Sequence, residues 1–122
     1  MQTILIIDDN SEFRETLCDI LKREGYQTVE ASEGDEGINI IKNNHIDLVI
    51  TDMIMPGKEG IETIIELRET FPDVKIIAVS GGGRHLPETY LNIANKFGVD
   101  FAFTKPLKTK VFLNAVAQLI AS

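Results

Sequence analysis

Short apolar runs alternate with stretches of helical periodicity along this chain. The runs span five or six residues and are rich in β-branched side chains, which favours strands buried on both faces of a parallel sheet. The stretches between them place apolar residues three or four positions apart, which predicts amphipathic helices. A predicted helix follows each of the predicted strands, which are 3–7, 27–31, 46–51, 74–79 and 100–104.

Capping and turn residues separate these elements. Ser11 is the predicted N-cap of the first helix, and Gly25 ends that helix. Pro87 can start the fourth helix, which Gly98 ends. The second strand is the most polar, so we expect it at an edge. Five strand–helix units with right-handed crossovers predict an α/β sheet covered by helices on both faces.

Length and charge narrow the classes of function. The 122 residues are most simply one domain, residues 1–122. A net charge of −7 argues against direct binding of nucleic acid or of an anionic membrane, because both need a basic face. The single cysteine, Cys18, lies in a helical apolar pattern and is expected to be a small buried residue. Without a signal peptide or membrane-spanning run, a cytoplasmic location is expected.

Polar residues directly follow four of the apolar strands. The first strand ends at Asp8 and Asp9, and the third at Asp52. The fourth ends at Ser80 and the fifth at Lys105. Ligands of parallel α/β sheets bind at the carboxyl ends of the strands. We therefore expect these five side chains to meet at one edge.

The chemistry of this set favours phosphoryl transfer. Two like charges about 4 Å apart repel by roughly 4 kcal/mol at an effective dielectric near 20, so three carboxylates together need a cation. Oxygen ligands without histidine or cysteine suit a hard ion such as Mg²⁺, which bridges carboxylates and phosphate. A lysine and a hydroxyl at the same edge suit phosphoryl oxygens. The nucleophile would be a carboxylate, and Asp52 is the expected one.

Four short segments carry a resemblance to a known family. They are LIIDDN, LVITDMIMPGKEG, IIAVSG and FTKP, in this order along the chain. The chain resembles the receiver domain of two-component response regulators over essentially its whole length. The resemblance implies a flavodoxin-like (βα)5 three-layer sandwich with strand order 2-1-3-4-5. It also implies that Asp52 accepts a phosphoryl group from a histidine kinase or a histidine phosphotransfer protein.

The resemblance further implies a role for each residue of the acidic set. Asp9 and Asp52 would bind Mg²⁺ directly, together with the backbone carbonyl of Ile54. Asp8 would act on the ion largely through water.

The remaining implied roles concern the phosphoryl group. Ser80 would hydrogen-bond that group, and Lys105 would pair with it. Members of the family usually have a cis peptide bond at the position of Lys105 and Pro106, where proline lowers the cost of the cis form to roughly 0.5–1 kcal/mol.

One position departs from the family pattern. Receiver domains usually carry tyrosine or phenylalanine three residues before the lysine, whereas this chain has Ala102. By strand alternation Phe101 and Phe103 point to the opposite face. Either Ser80 moves against a different group on activation, or the output surface changes little.

The loop after the fourth strand is rich in glycine. Gly81 and Gly82 are expected to leave the phosphoryl pocket open on that side, which would ease access for donors and for water. Easier access for water would shorten the lifetime of the phosphate. Ile54 is apolar and cannot orient water, which would lengthen that lifetime.

The sequence therefore predicts a signalling module that catalyses only its own phosphorylation and dephosphorylation. Its expected output face consists of the fourth helix, the fifth strand and the last helix, which is also a candidate homodimer surface. The downstream partner would be an attached effector domain or a separate protein.

Two other functions remain open at this stage. A Mg²⁺-dependent phosphohydrolase with Asp52 or Asp8 as nucleophile would need a second aspartate two residues further on. Neither position has one, since Ile54 and Asn10 stand there. A receiver-like module that is never phosphorylated is the other alternative, and the complete acidic set argues against it.

Overall fold

The computed structural model describes residues 2–53, 60–81, 92 and 96–121. All five predicted strands are present, and their ends lie within two residues of the predicted ones. The predicted helix that begins at Pro87 falls mostly outside the described residues. The described elements are β1 (Thr3–Ile7), α1 (Ser11–Arg23), β2 (Gln27–Ala31), α2 (Gly34–Asn43), β3 (Leu48–Asp52), α3 (Gly60–Thr70), β4 (Lys75–Ser80), β5 (Phe101–Thr104) and the C-terminal helix (Thr109–Ala121).

The strands form one parallel sheet in the order β2-β1-β3-β4-β5. This order confirms the predicted flavodoxin-like topology. The polar strand β2 lies at an edge, as its composition predicted. The two apolar strands β1 and β3 occupy the interior, where both of their faces are covered.

Alternation along the strands divides the core into two layers. On one face, Leu5 of β1 packs in a cluster with residues of α2 and α3 such as Ile38 and Ile64. On the other face, Ile6 packs in a cluster with α1 and the C-terminal helix, which includes Phe112. A strand that must be apolar on both sides reads as a continuous apolar run, which explains the TILII pattern. The buried Cys18 belongs to the second layer, as expected.

The N-cap of α1 is Asn10, so the prediction of Ser11 was wrong by one residue. The Asn10 side-chain oxygen accepts a hydrogen bond from the backbone N–H of Phe13 at 3.1 Å. The Asn10 N–H in turn donates to Asp8 Oδ1 at 2.9 Å, which holds Asn10 in the extended conformation that a cap requires. Ser11 is instead the first helical residue. The acidic turn thus decides where the helix begins.

An arginine at the amino ends of β4 and β5 ties several loops together. Arg68 Nη1 donates to the Val74 carbonyl at 2.6 Å, and its Nε donates to the Gly98 carbonyl at 3.0 Å. Its Nη2 pairs with Asp100 Oδ2 at 3.0 Å, and the same oxygen accepts the Ile76 N–H at 2.8 Å. One side chain from α3 therefore anchors the edge strand β5.

The longest helices described have 13 residues, fewer than the roughly 20 that a membrane span needs.

Asp47 closes the amino ends of β1 and β3. Its Oδ2 accepts the Thr3 N–H at 2.8 Å, and its own N–H donates to the Thr3 carbonyl at 2.9 Å. His45 Nε2 lies 2.9 Å from the other carboxylate oxygen. The hydrogen bond from Thr3 is the main reason that the pKa of Asp47 is lowered. Burial acts in the opposite sense and raises this pKa, while the contact with His45 lowers it further.

This pKa shift predicts an acid dependence of stability. The folded pKa lies below the unfolded value of about 3.9, so the stabilisation is present above roughly pH 5 and is lost as the pH falls through the folded pKa. We expect Asp47→Asn to lower the free energy of unfolding by about 1 kcal/mol at pH 7, because a charge-assisted bond becomes a neutral one. Urea unfolding between pH 7 and pH 3 should then show a shallower loss than in the wild type. The exposed Asp73→Asn is the matched control, and equal acid slopes for wild type and Asp47→Asn would refute the assignment.

Candidate functional site

The carboxyl ends of the strands bring the predicted acids together. Each of Asp8, Asp9 and Asp52 offers one carboxylate oxygen, and these oxygens all lie within 4.8 Å of one another. Asp8 and Asp52 are only 2% and 7% exposed, whereas Asp9 faces solvent. Lys105 joins the same cluster through its ammonium group. The cluster is thus open to solvent on one side and rigidly backed by the sheet on the other.

The turn between β1 and α1 fixes Asp8. Its N–H donates to the Ala31 carbonyl of β2 at 3.1 Å, and one carboxylate oxygen caps Asn10. Arg14 Nη1 donates to the Asp8 carbonyl at 2.6 Å, while Arg14 Nε pairs with Glu30 at 3.1 Å. Both the backbone and the carboxylate of Asp8 are therefore held before any ligand arrives.

Asp52 is the last residue of the central strand β3. The next residue, Met53, donates its N–H to the Val79 carbonyl of β4 at 2.9 Å, so the sheet pairing continues past the acid. Gly60, at the start of α3, lies directly against this point. A Cβ at Gly60 would overlap the Asp52 carbonyl oxygen and lie 2.6 Å from Met53 Cα. Glycine is required there so that α3 can back the strand end.

Lys105 lies between the two buried acids. Its Nζ is 2.9 Å from Asp8 Oδ2 and 3.4 Å from Asp52 Oδ2, and its backbone N–H donates to the Ser80 carbonyl at 2.7 Å. Burial alone would lower the pKa of Lys105. The hydrogen bond to Asp8 and the charges of Asp52 and Asp8 outweigh that cost, and the pKa is raised above its ordinary value. The ammonium is therefore charged at neutral pH and acts as an internal counterion.

Gly81 has a different role from the expected one. A Cβ at this position would overlap the Lys105 side chain and lie 2.7 Å from its Cγ. The lysine stem thus fills the space that a side chain at position 81 would need, while the Gly81 backbone lines a groove beside Phe13. Gly82, the other residue of that expectation, lies outside the described residues.

Ser80 ends β4 with a buried hydroxyl. It is the last residue of β4 and is 1% exposed. Its hydroxyl oxygen is buried and has no hydrogen-bond partner among the residues that the structure describes. A buried hydroxyl without a partner costs roughly 1–3 kcal/mol, which a ligand oxygen could recover. Ile54, whose carbonyl was expected to bind the ion, lies outside the described residues.

Ala102 occupies the position at which receiver domains usually carry an aromatic residue. Ala102 packs on the side of α2 and α3, and its register partner in β4 is Ala78. Phe101 and Phe103 lie on the other face, as alternation predicted, with Phe103 in edge contact with Phe112 at 5.9 Å. Neither ring can therefore stand in for an aromatic residue at position 102.

The donor set fits a hard divalent cation. The cluster offers only carboxylate oxygens, two of them from residues held by the sheet. These oxygens all lie within 4.8 Å of one another, so a single hard cation could be shared by the three acids. Lys105 would have to share the acids with the ion.

Several residues that shape the site carry weak sequence signals. Asn10 could have been found as a cap, because asparagine is as good a cap as serine. Arg14 and Gly60 contact backbone atoms six to eight residues earlier in the chain, and the ring of Phe13 lies beside the distant Lys105. Periodicity assigned Phe13 only to the apolar side of a helix.

Comparison with known families settles the class of protein. The sequence matches the response regulator receiver domain over residues 4–117. The chain belongs to this family, which confirms the resemblance drawn from the motifs. Receiver domains are the phosphoacceptor signalling modules of two-component systems, not classical enzymes, and they bind Mg²⁺ through acidic residues.

Individual relatives agree with this membership. The chain is 33% identical to the CAI-1 autoinducer sensor kinase/phosphatase CqsS of Vibrio cholerae, over 96% of this chain but only 17% of that protein. It is 30% identical to the chemotaxis protein CheY of Halobacterium salinarum, over 98% of this chain and 97% of that protein. A crystal structure of a response regulator receiver domain protein from Clostridium thermocellum superposes with a TM-score of 0.89 at 29% identity, covering 99% of this chain and 95% of that one.

Proposed function

We propose that residues 1–122 form a single receiver domain in which Asp52 is the phosphoacceptor. The observation that carries this proposal is the position of Asp52. Its carboxylate is nearly buried at the end of the central strand, with Asp8, Asp9 and Lys105 around it. The Asp8 carboxylate accepts the Asn10 N–H and pairs with Lys105. Asp52 ends the central strand, against which Gly60 of α3 packs.

The proposed donor is a phosphohistidine on a histidine kinase or a histidine phosphotransfer protein. An Asp52 carboxylate oxygen attacks the phosphorus, and the P–N bond to the donor imidazole breaks. The electron pair of that bond returns to the imidazole nitrogen. When the other ring nitrogen of the phosphohistidine carries a proton, the donor leaves as a neutral imidazole and takes up no further proton. The product is an acyl phosphate on Asp52. Water can later attack the phosphorus and regenerate the carboxylate, which resets the module.

Two side chains, Lys105 and Ser80, would donate hydrogen bonds to the transferred phosphoryl group. The ammonium of Lys105 pairs with Asp8 and Asp52 in this structure. Once the phosphoryl group is bound to Asp52, the ammonium can pair with one of its negatively charged oxygens instead. The Ser80 hydroxyl is buried beside this position and would donate to another phosphoryl oxygen. Both groups are set in place by β4 and β5 before the donor arrives.

The proposed metal ligands are Asp9 and Asp52 directly, Asp8 through water, and the Ile54 carbonyl. A bound Mg²⁺ would neutralise the acids and the phosphoryl oxygens. The chain prepares for this by holding Asp8 with the Asn10 N–H and with Lys105, so little reorganisation of that acid is needed.

The proposed output face consists of β5, the C-terminal helix and the predicted helix before β5. Within the described residues, Val111 is 53% exposed and Phe97 is 40% exposed on this side of the chain. Exposed apolar residues of this kind suit a partner or a second copy. Light scattering with and without a phosphoryl donor would test the homodimer, which should appear only with the donor.

Treatment with acetyl phosphate tests the proposed function. We expect the intact mass of the wild type to gain one phosphoryl group in the presence of Mg²⁺, and to gain little when EDTA removes the ion. Asp52→Asn should gain none, because its amide is not a nucleophile. The exposed Asp35→Asn is the matched control and should react like the wild type. No adduct on the wild type, or an equal adduct on Asp52→Asn, would contradict the proposal.

A further inference from the structure

We propose that Phe13 is a positioning residue for Lys105. The Lys105 ammonium nitrogen lies 4.0 Å from the centroid of the Phe13 ring. A cation at this distance is attracted by the negative face of the ring. Phe13 belongs to α1 and Lys105 follows β5, so this contact joins two elements that only the tertiary fold brings together.

The ring is itself held in place. Phe13 is half-buried and packs against the core layer that α1 shares with the C-terminal helix. Its backbone N–H donates to the Asn10 side chain, and the Asn10 N–H donates to Asp8. The turn that fixes Asp8 therefore also fixes the backbone from which the ring projects.

The ring completes the set of contacts around the ammonium. An ammonium group has three N–H donors, and Asp8 and Asp52 can accept two of them. The Lys105 stem lies against Gly81, which leaves no room for a Cβ. The ring face covers a further side. A groove of about 650 Å³ begins there, and Lys105 and Phe13 both line it. Without the ring, the ammonium could swing into this groove and away from the acids.

This inference rests on the proposed function, because a displaced ammonium matters for phosphoryl transfer only if Asp52 receives the group. A cation–ring contact of this kind raises the ratio of ring-bound to displaced ammonium roughly two- to fivefold. We expect Phe13→Leu, which keeps an apolar side chain but removes the ring, to slow phosphorylation by acetyl phosphate by about that factor. Phe13→Tyr keeps the ring and should react at nearly the wild-type rate.

The experiment combines these rates with a spectroscopic measurement. The ring current of Phe13 should shift the ε-methylene protons of Lys105 upfield in the wild type and in Phe13→Tyr, and the shift should vanish in Phe13→Leu. Phe13→Met serves as a second ring-free variant if leucine prevents folding. Wild-type rates in both ring-free variants, or equal slowing in Phe13→Tyr, would overturn the inference. So would an unchanged Lys105 shift in the ring-free variants.

These outcomes are separable from a failure of the proposed function. If the wild type takes up no phosphoryl group, the proposed function fails, while the ring-current shift still decides whether Phe13 holds Lys105. If the wild type is phosphorylated and the ring-free variants match it in rate, the inference fails and the proposed function stands.

Discussion

Replacing Lys105 with methionine is expected to slow phosphorylation by acetyl phosphate about a hundredfold. Removing one preorganised donor that stabilises developing charge costs this order of magnitude in other transfer reactions. Methionine keeps the stem that packs against Gly81 but removes the charge that lies 2.9 Å from Asp8 and 3.4 Å from Asp52. The rate of mass gain at saturating Mg²⁺ measures the effect.

The same substitution should change the affinity for the ion in the opposite direction. Without the internal counterion, the three carboxylates repel each other more strongly, so Mg²⁺ should bind more tightly to Lys105→Met than to the wild type. The exposed Lys108→Met is the matched control and should leave both quantities unchanged. A Lys105→Met protein that reacts within twofold of the wild type would remove Lys105 from the mechanism.

Replacing Gly60 with alanine is expected to have the largest effect on stability. The added Cβ would overlap the Asp52 carbonyl oxygen and lie 2.6 Å from Met53 Cα, and both are backbone atoms of the central strand end. Backbone atoms cannot rotate away, so α3 or the end of β3 must shift. We expect a loss of about 2 to 3 kcal/mol, measured by urea unfolding, together with slower phosphorylation of the displaced Asp52.

Gly37→Ala provides the matched comparison in another helix. A Cβ there would overlap Ile7 Cδ1 and lie 2.8 Å from Ile7 Cγ1, which are atoms of a buried side chain and not of the backbone. Alanine also improves helix propensity by roughly 1 kcal/mol over glycine. We therefore expect a smaller net loss than for Gly60→Ala. Equal losses for the two variants would show that the backbone contact at Asp52 has no special cost.

The fold could be predicted because its strands are simple patterns. A strand covered on both faces must be apolar throughout, so β1 and β3 are recognisable as runs, and β2 as an edge strand from its polar residues. The ends of those runs placed Asp8, Asp52 and Ser80 on one edge without knowledge of any contact. The parallel direction of the strands then brought the acids within reach of each other.

Other features could not be predicted, because they depend on contacts between distant residues. The guanidinium of Arg68 binds carbonyls that follow it by 6 and 30 positions, and nothing in its local sequence indicates this. Gly81 looked like an open wall of the pocket, but Lys105, far along the chain, fills the space beside it. The shift of the cap from Ser11 to Asn10 has a different origin, because the Asp8 carboxylate that selects the cap lies only two residues before Asn10 and acts through the geometry of the turn.

Ala102 bears on the signal output of this chain and not on the proposed phosphoryl transfer. The side chains needed for the proposed transfer are assembled at the strand ends, while the small residues Ala78 and Ala102 leave that face of β4 and β5 without an aromatic ring. Position 102 therefore has no ring that could move inward, so any signal output must use other residues.

Borohydride reduction of the phosphorylated protein identifies the aspartate that carries the phosphoryl group. Borohydride converts an acyl phosphate of aspartate into homoserine and leaves free carboxylates unchanged, so peptide mass mapping then reads out which acid carried the phosphoryl group. We expect homoserine at Asp52 and unmodified aspartate at positions 8 and 9 after treatment with acetyl phosphate and Mg²⁺. Homoserine at Asp8 or Asp9 with Asp52 intact, or no homoserine in a protein that gained a phosphoryl group, would contradict it.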